Sequence, residues 1–242
     1  MATDAAIAAV FAPVQSPTTF EETVERMGSA IRLGILAPGS RLPPERELAE
    51  RLQIARSTLR EALGALVECG LLTAVRGRRG GTFVVADPPL ATGDAGPLPD
   101  DWRDVLDLRV AIEMGALSVA VERIGPEALG LMREAVARMD AATGFEDFRR
   151  ADARFHIAIA EASGIRRLVT VMTRAQADVT ELLAHMAHPP QVLRHANADH
   201  SRLVDALARG ERDRAAHVLR MHLAGTEHVL AGLMFSEATA PV

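Results

Sequence analysis

Residues 34–84 read GILAPGSRLPPERELAERLQIARSTLREALGALVECGLLTAVRGRRGGTFV. Pro38 and Gly39 sit in a turn, and Pro43-Pro44 hold Arg41-Leu42 to a short extended piece, because a residue before proline is pushed out of the helical region. A helix follows over about Glu45 to Leu52. Gln53-Ile54-Ala55 makes a tight connection into another helix, about Arg56 to Cys69, which Gly70 stops. On that helix Leu59, Ala62, Leu63, Leu66 and Val67 share one stripe, its buried side. Arg56, Ser57, Arg60 and Gly64 fall on a different, accessible side. Leu72–Arg76 and Thr82–Val85 read as two strands around Gly77-Arg78-Arg79-Gly80, a hairpin with a basic tip. Upstream, residues 18–35 carry Phe20, Val24, Met27, Ile31 and Ile35 at a helical period.

This order of three helices and a basic hairpin predicts a winged helix-turn-helix over residues 18–86. The third helix of such a unit fits the DNA major groove with its N-terminal side chains nearest the bases. Arg56 and Arg60 stand there, one turn apart, and glycine in the wing lets backbone approach the sugar-phosphate rail. Considered alone, the pattern also suits a small helical core with solvated arginines.

The rest of the chain supports the first alternative. At 242 residues it exceeds the usual single-domain size, so two domains are expected. Aromatic residues are only 3% of the chain, which favours helices over sheets. The formal net charge of −5 argues at first against a nucleic-acid partner. Its distribution argues the other way: residues 18–86 hold ten Arg against eight acids, and the remainder carries the acidic excess. There is no lysine, so all 27 basic residues are arginine, the better bidentate donor to phosphate and guanine. A single cysteine, Cys69, excludes an intramolecular disulfide and points to a reducing compartment. No apolar run approaches the ~18 residues that span a bilayer. The first 17 residues lack the basic start of a signal peptide and are expected as a flexible extension, so a cytoplasmic protein with no membrane partner is expected.

Residues 87–100, DPPLATGDAGPLPD, are rich in breakers and form the expected linker. Beyond it the helical period resumes. Gly125-Pro126, Thr143-Gly144, Gly164, Pro189-Pro190 and Gly210 divide it into about six helices: 101–124, 126–140, 145–163, 165–187, 189–209 and 211–235. The chain is therefore expected to be mainly α, with an all-helical bundle over 101–235 and a tail over 236–242.

Within that bundle Asp152 and His156 lie four apart, on one face of one helix. His200 shares a stripe with Ala196, Leu203, Val204 and Leu207. His222 shares one with Val218, Leu219, Val229 and Leu230. Three helices thus each turn a ligand-type side chain toward an apolar interior, where unpartnered polar groups are disfavoured. One carboxylate and three imidazoles suit a divalent metal ion, Zn, Ni, Mn or Fe. The alternative is a helix pair beside hydrogen-bonded core histidines. His217, His185 and His188 are expected at the surface.

The run quoted at the outset resembles the GntR-type winged helix-turn-helix along its whole length, most specifically in PGSRLPPERELA, ARSTLREAL and GLL…GGTFV. The stretches LDLRVAIEMGAL, ADARFHIAIAEASG, DHSRLVDALARGE and RMHL resemble the FCD effector domain of the FadR subfamily. The resemblance implies DNA contacts from Arg46, Arg56, Arg60, Arg76 and Gly77; with Ser57, Thr58 and the wing-tip Arg78 these form the candidate DNA-binding set. Pro44 and Ala55 depart from the family's serines and remove two helix caps, so looser helix starts are expected. The resemblance also implies that Asp152, His156, His200 and His222 bind the metal, with a small carboxylate effector completing its coordination. Arg109 matches an arginine that pairs with an anionic ligand, though a helix ion pair with Glu113 is the plainer alternative. The implied function is a sequence-specific repressor, a homodimer on a palindromic operator in double-stranded DNA. A fatty-acyl-CoA-responsive regulator is the alternative within the family, and a metal-dependent enzyme is the rival outside it.

Overall fold

The computed structural model describes residues 4–77, 80–88 and 99–233. Its helices and strands are α1 (Asp4–Val10), α2 (Thr19–Arg32), α3 (Glu45–Leu52), α4 (Arg56–Glu68), β1 (Leu72–Val75), β2 (Gly81–Val84), α5 (Trp102–Ala120), α6 (Pro126–Asp140), α7 (Phe145–Ala162), α8 (Arg166–Leu183), α9 (Pro190–Ala208) and α10 (Arg212–Leu233). The chain is mainly α, with one small antiparallel sheet among the described residues. The chain divides into two compact units.

In the first unit the apolar faces of α2, α3 and α4 close one core around Phe20, Met27, Leu48, Leu52, Leu59 and Leu66, all fully buried. Gln53 turns the chain between α3 and α4 with φ 55°, the one left-handed non-glycine residue among those described. β1 and β2 pair in the register Leu72↔Val84 to Val75↔Gly81. Arg41 bridges to Phe83, so the extended piece ahead of the double proline is laid along the wing. Arg78 and Arg79 of the wing tip lie outside the described residues, as do most of the linker and the tail.

Three features of this unit differ from expectation. Residues 4–17 are no loose extension: α1 forms, Val10, Phe11 and Val14 are buried, and the Val14 amide donates to the Leu52 carbonyl at 2.8 Å. Their apolar side chains supply a reason to pack that an irregular pattern conceals. Gly64 is half-buried, because a Cβ there would stand 3.1 Å from Gln191 Nε2. Finally, residues 185–192 and the last turns of α10, Gly225–Leu233, belong to this unit and not to the helical bundle. There Gly28 of α2 meets Gly232 of α10 backbone to backbone, and Arg32 donates to the carbonyls of Ala231 and Gly232.

The second unit holds α5 to α8, α9 from Leu193 and α10 as far as Ala224. Leu117, Met132, Phe155, Ile159, Met172, Leu203 and Leu219 make its core. The expected breakers operate: Pro126 opens α6, and Gly164 and Gly210 adopt positive φ where α7 and α9 end.

Candidate functional site

One turn of α7 presents Asp152 and His156 to the interior, α9 presents His200 and α10 presents His222, all four buried. One ligand atom from each lies within 4.8 Å of every other. His200 Nε2 stands 3.3 Å from His156 Nε2 and 3.3 Å from Asp152 Oδ1. Bonds of about 2.0–2.2 Å to a shared cation would place its ligands roughly 3–4 Å apart. Asp152, His156 and His200 already have that spacing, at 3.3 to 3.8 Å, and His222 lies within 4.8 Å of each.

The surrounding residues fix how the donors face. Glu113 Oε2 lies 2.6 Å from His156 Nδ1, and a carboxylate can only accept there. Arg109 Nη2, which can only donate, lies 3.3 Å from His156 Nε2. Both neighbours place the ring proton on Nδ1, and the single Nε2 lone pair, here accepting from Arg109, is the one that a cation would have to take over. Glu113 Oε1 accepts from Arg109 Nε at 2.8 Å and from Gln176 Nε2 at 2.7 Å. Gln176 Oε1 in turn accepts from Arg149 Nη2 at 2.7 Å, while Arg149 Nη1 holds Asp152 Oδ2. Asp152 Oδ1 is left for the histidines. Every member of this outer network is buried, so its hydrogen bonds act in a low dielectric.

Charge follows the same geometry. Burial works to raise the Glu113 pKa, but His156 and Arg109 outweigh it and bring the group down to about 2. Burial is likewise outweighed at Asp152, where Arg149 and the neighbouring imidazoles hold the carboxyl well below its usual range. Burial pushes His200 down to about 3 against the opposing pull of Asp152, and pushes His222 well down too, with His200 and His156 adding to it. The arrangement offers ionised oxygen and unprotonated nitrogen, which is what a divalent ion of borderline softness takes.

Arg109 makes its ion pair with Glu113 and also reaches the cluster. Glu113 entered the sequence reading only as that ion-pair partner, and Arg149 and Gln176 did not enter it. Each is a long polar residue on an otherwise apolar stripe: Glu113 beside Ile112 and Ala116, Arg149 three before Asp152, Gln176 between Met172 and Val179. That signal was available. His217 is exposed, whereas His185 and His188 are half-buried, contrary to expectation, because they lie in the 185–192 segment packed into the first unit. If Glu113 orients His156, Glu113→Gln will lower metal affinity about 10–100-fold. Equilibrium dialysis against a competing chelator measures this, and an unchanged affinity would remove Glu113 from the site.

On the first unit, Arg46, Arg56, Ser57, Arg60, Arg76 and Gly77 are exposed and Thr58 is half-buried. Arg46 and Arg60 are 3.5 and 3.4 Å from Glu50 and Glu45. Such exposed pairs contribute about 0–1 kcal/mol, so either arginine can turn to a phosphate or base at little cost. Neither Pro44 nor Ala55 makes a side-chain cap, yet α3 and α4 both form at the expected positions, so the missing serines do not displace the helix starts. Gly77 has φ 107°, which keeps a side chain out of the wing at that point. Burial, and then Glu68, raise the Cys69 thiol to about 12, which leaves it inert as a nucleophile.

Comparison with known proteins completes the description. The family model described as "Bacterial regulatory proteins, gntR family" matches residues 19–84, and the FCD domain model matches residues 104–225. RmpR of Mycobacterium gastri, described as an HTH-type transcriptional regulator, is 35% identical over 242 residues, covering 90% of this chain and 86% of its own. A protein of Escherichia coli K12 named for regulation of the L-lactate dehydrogenase operon is 33% identical over 222 residues, covering 84% and 83%. Among solved structures, E. coli McbR/YncC superposes with a TM-score of 0.50 at 22% identity, covering 87% of this chain and 96% of its own. That last likeness concerns the fold.

Proposed function

The chain belongs to the GntR family of bacterial regulatory proteins and carries an FCD domain; on that premise we propose a switch in which a metal-borne carboxylate controls DNA binding. It is a DNA-binding transcription regulator, and its relatives are regulators rather than enzymes. No helix among the described residues is long and apolar enough to cross a membrane. In the proposed reading Asp152, His156, His200 and His222 hold a divalent ion, Zn, Ni, Mn or Fe, and Arg109 pairs with an anionic effector. When bound, the ion supplies Lewis-acid positions that a carboxylate oxygen fills. The observation that carries this is the convergence of four buried donors beside a buried hydrogen-bonded network of Arg109, Glu113, Gln176 and Arg149. It supports a metal-borne carboxylate over an acyl-CoA effector, whose long chain would need an apolar channel in place of this polar cluster. The name of the E. coli relative supports a small organic acid as the effector class.

The DNA reading assigns Arg56 and Arg60 to base edges and Arg46, Ser57, Thr58, Arg76, Gly77 and Arg78 to the backbone of a palindromic operator, bound by a homodimer in repression. Leu108 on α5 and Val171 on α8 are 53% and 45% exposed, apolar side chains of the kind a dimer contact covers. Arg56→Ala will weaken operator binding by about 1–3 kcal/mol and relax preference at one base position, while Arg46→Ala will weaken all sequences alike. Binding titrations at fixed salt against single-base operator variants separate the two. Light scattering of the complex will count two chains per operator. The switch is tested by titrating small organic acids into metal-loaded protein while operator affinity is followed; acids that bind without changing that affinity would sink it.

A further inference from the structure

Arg41 reaches the wing from outside its hairpin. Its backbone is laid along β2: the Leu42 amide donates to the Thr82 carbonyl and the Val84 amide to the Ser40 carbonyl, each at 2.9 Å. From that fixed root the side chain crosses to the turn of the hairpin, where Nη2 donates to the Gly80 carbonyl at 2.5 Å. The Gly80 amide in turn donates to the Gly77 carbonyl at 2.8 Å, so Gly80 is held from both sides. Gly81 leaves room for the guanidinium, since a Cβ there would stand 2.6 Å from Arg41 Nε. The Phe83 ring supports it as well, with its centroid 5.9 Å from Arg41 Cζ, within cation–π reach.

This anchoring leaves an exposed charge in a fixed place. Arg46 and Arg60 each face an acid, Glu50 and Glu45, whereas among the described residues no acid pairs with Arg41. The bond to Gly80 uses one N–H of a fork that carries several, and the remaining donors suit the geometry of a phosphate. A side chain held in position beforehand loses less rotamer freedom on binding. Gly77, which the proposed reading lays against the DNA backbone, is one hydrogen bond further along the same turn. Resting on that reading of the wing, we infer that Arg41 is a further phosphate contact of the DNA interface, bracing the wing turn with one edge of its guanidinium and binding the sugar-phosphate backbone with the other. Such a contact adds affinity and salt dependence but carries no base preference.

The test is DNA binding by the full-length protein, measured against salt concentration on the duplex that the wild-type protein selects from a randomised pool. Arg41→Gln removes the charge and keeps a donor amide. It is expected to make the plot of log affinity against log salt shallower by about 0.9 for each bound chain, with preferences at single base positions unchanged. Arg41→Lys keeps the charge and should keep the wild-type slope. An unchanged slope in Arg41→Gln overturns the inference, even if affinity falls, because Arg41 would then only brace the wing. An equally shallow slope in Arg41→Lys overturns it too, since a displaced wing rather than a lost charge would be the cause. Arg76→Ala separates this inference from the reading beneath it. If Arg76→Ala flattens the slope and Arg41→Gln does not, the wing still contacts DNA and only the role of Arg41 falls; if neither does, both fall.

Discussion

His200→Ala is expected to abolish stoichiometric metal binding and, with it, the metal-dependent part of the protein's thermal stability. His200 Nε2 stands 3.3 Å from both His156 Nε2 and Asp152 Oδ1, so its removal takes away the donor common to the cluster. A ligand that binds only the folded state at 100–1,000 times its Kd stabilises by about 3–4 kcal/mol. For a domain of this size that corresponds to a melting shift of roughly 10 °C. The quantity to compare is the shift on adding metal to each variant, not the absolute melting temperature, because deleting a buried ring also leaves a cavity. His217→Ala, at an exposed position, should keep the full shift. Equal metal content by elemental analysis in the two variants would leave these residues as hydrogen-bonded core histidines.

Acid should act on the same cluster with a definite sign. Without metal, burial lowers His200 to about 3, with His222 also pushed well down, so the folded state leaves both unprotonated. The unfolded chain takes up those protons near pH 6.5. Stability therefore falls as pH drops from about 6.5 toward 3. Glu113, lowered to about 2, and Asp152, lowered further, add stability that is present above about pH 4 and lost below it. All four slopes have one sign. The histidine pattern in the sequence suggests metal release through the ordinary histidine range, near pH 6.5. Burial changes that: release on acidification should coincide with unfolding, followed in parallel by a metal indicator and near-UV circular dichroism. Release completed near pH 6 from a still-folded protein would contradict the buried geometry.

Gly28→Ala is expected to destabilise the DNA-binding unit by about 2–4 kcal/mol, the upper range for overpacking a rigid contact. In an open helix the same change stabilises by about 0.5–1 kcal/mol, because glycine loses more backbone freedom on folding. Here the sign reverses. A Cβ on Gly28 falls 3.0 Å from the Gly232 carbonyl carbon and closer still to its oxygen, and a Cβ on Gly232 falls 2.5 Å from Glu25 Cα. The obstacle is backbone on both sides, so no side-chain rotation relieves it. Gly130→Ala is the internal control: it lies within α6 with no atom near its missing Cβ, and should raise stability slightly. Denaturant midpoints of the two variants should move in opposite directions. Movement in the same direction would show that α2 and the end of α10 do not cross at these glycines.

That crossing marks the limit of what local pattern can disclose. Helical period in α2, α3 and α4, the breakers Gly70, Gly164 and Gly210, and the glycines between the two strands of the wing are properties of neighbouring residues. The sequence by itself therefore determined the winged head, the order of the six later helices and the inward faces of Asp152, His156, His200 and His222. Their resemblance to two known domains rests on the same local motifs. What tertiary structure alone decided is which distant residues meet. Glu113 on α5, Gln176 on α8 and Arg149 on α7 join through side-chain hydrogen bonds across 63 and 27 positions of chain, and no periodicity encodes such pairs. Residues 4–17 and 225–233 likewise gained their place from surfaces that other elements left uncovered. Apolar burial is non-directional, so a short irregular segment shows in its sequence that it can be buried, but not against what.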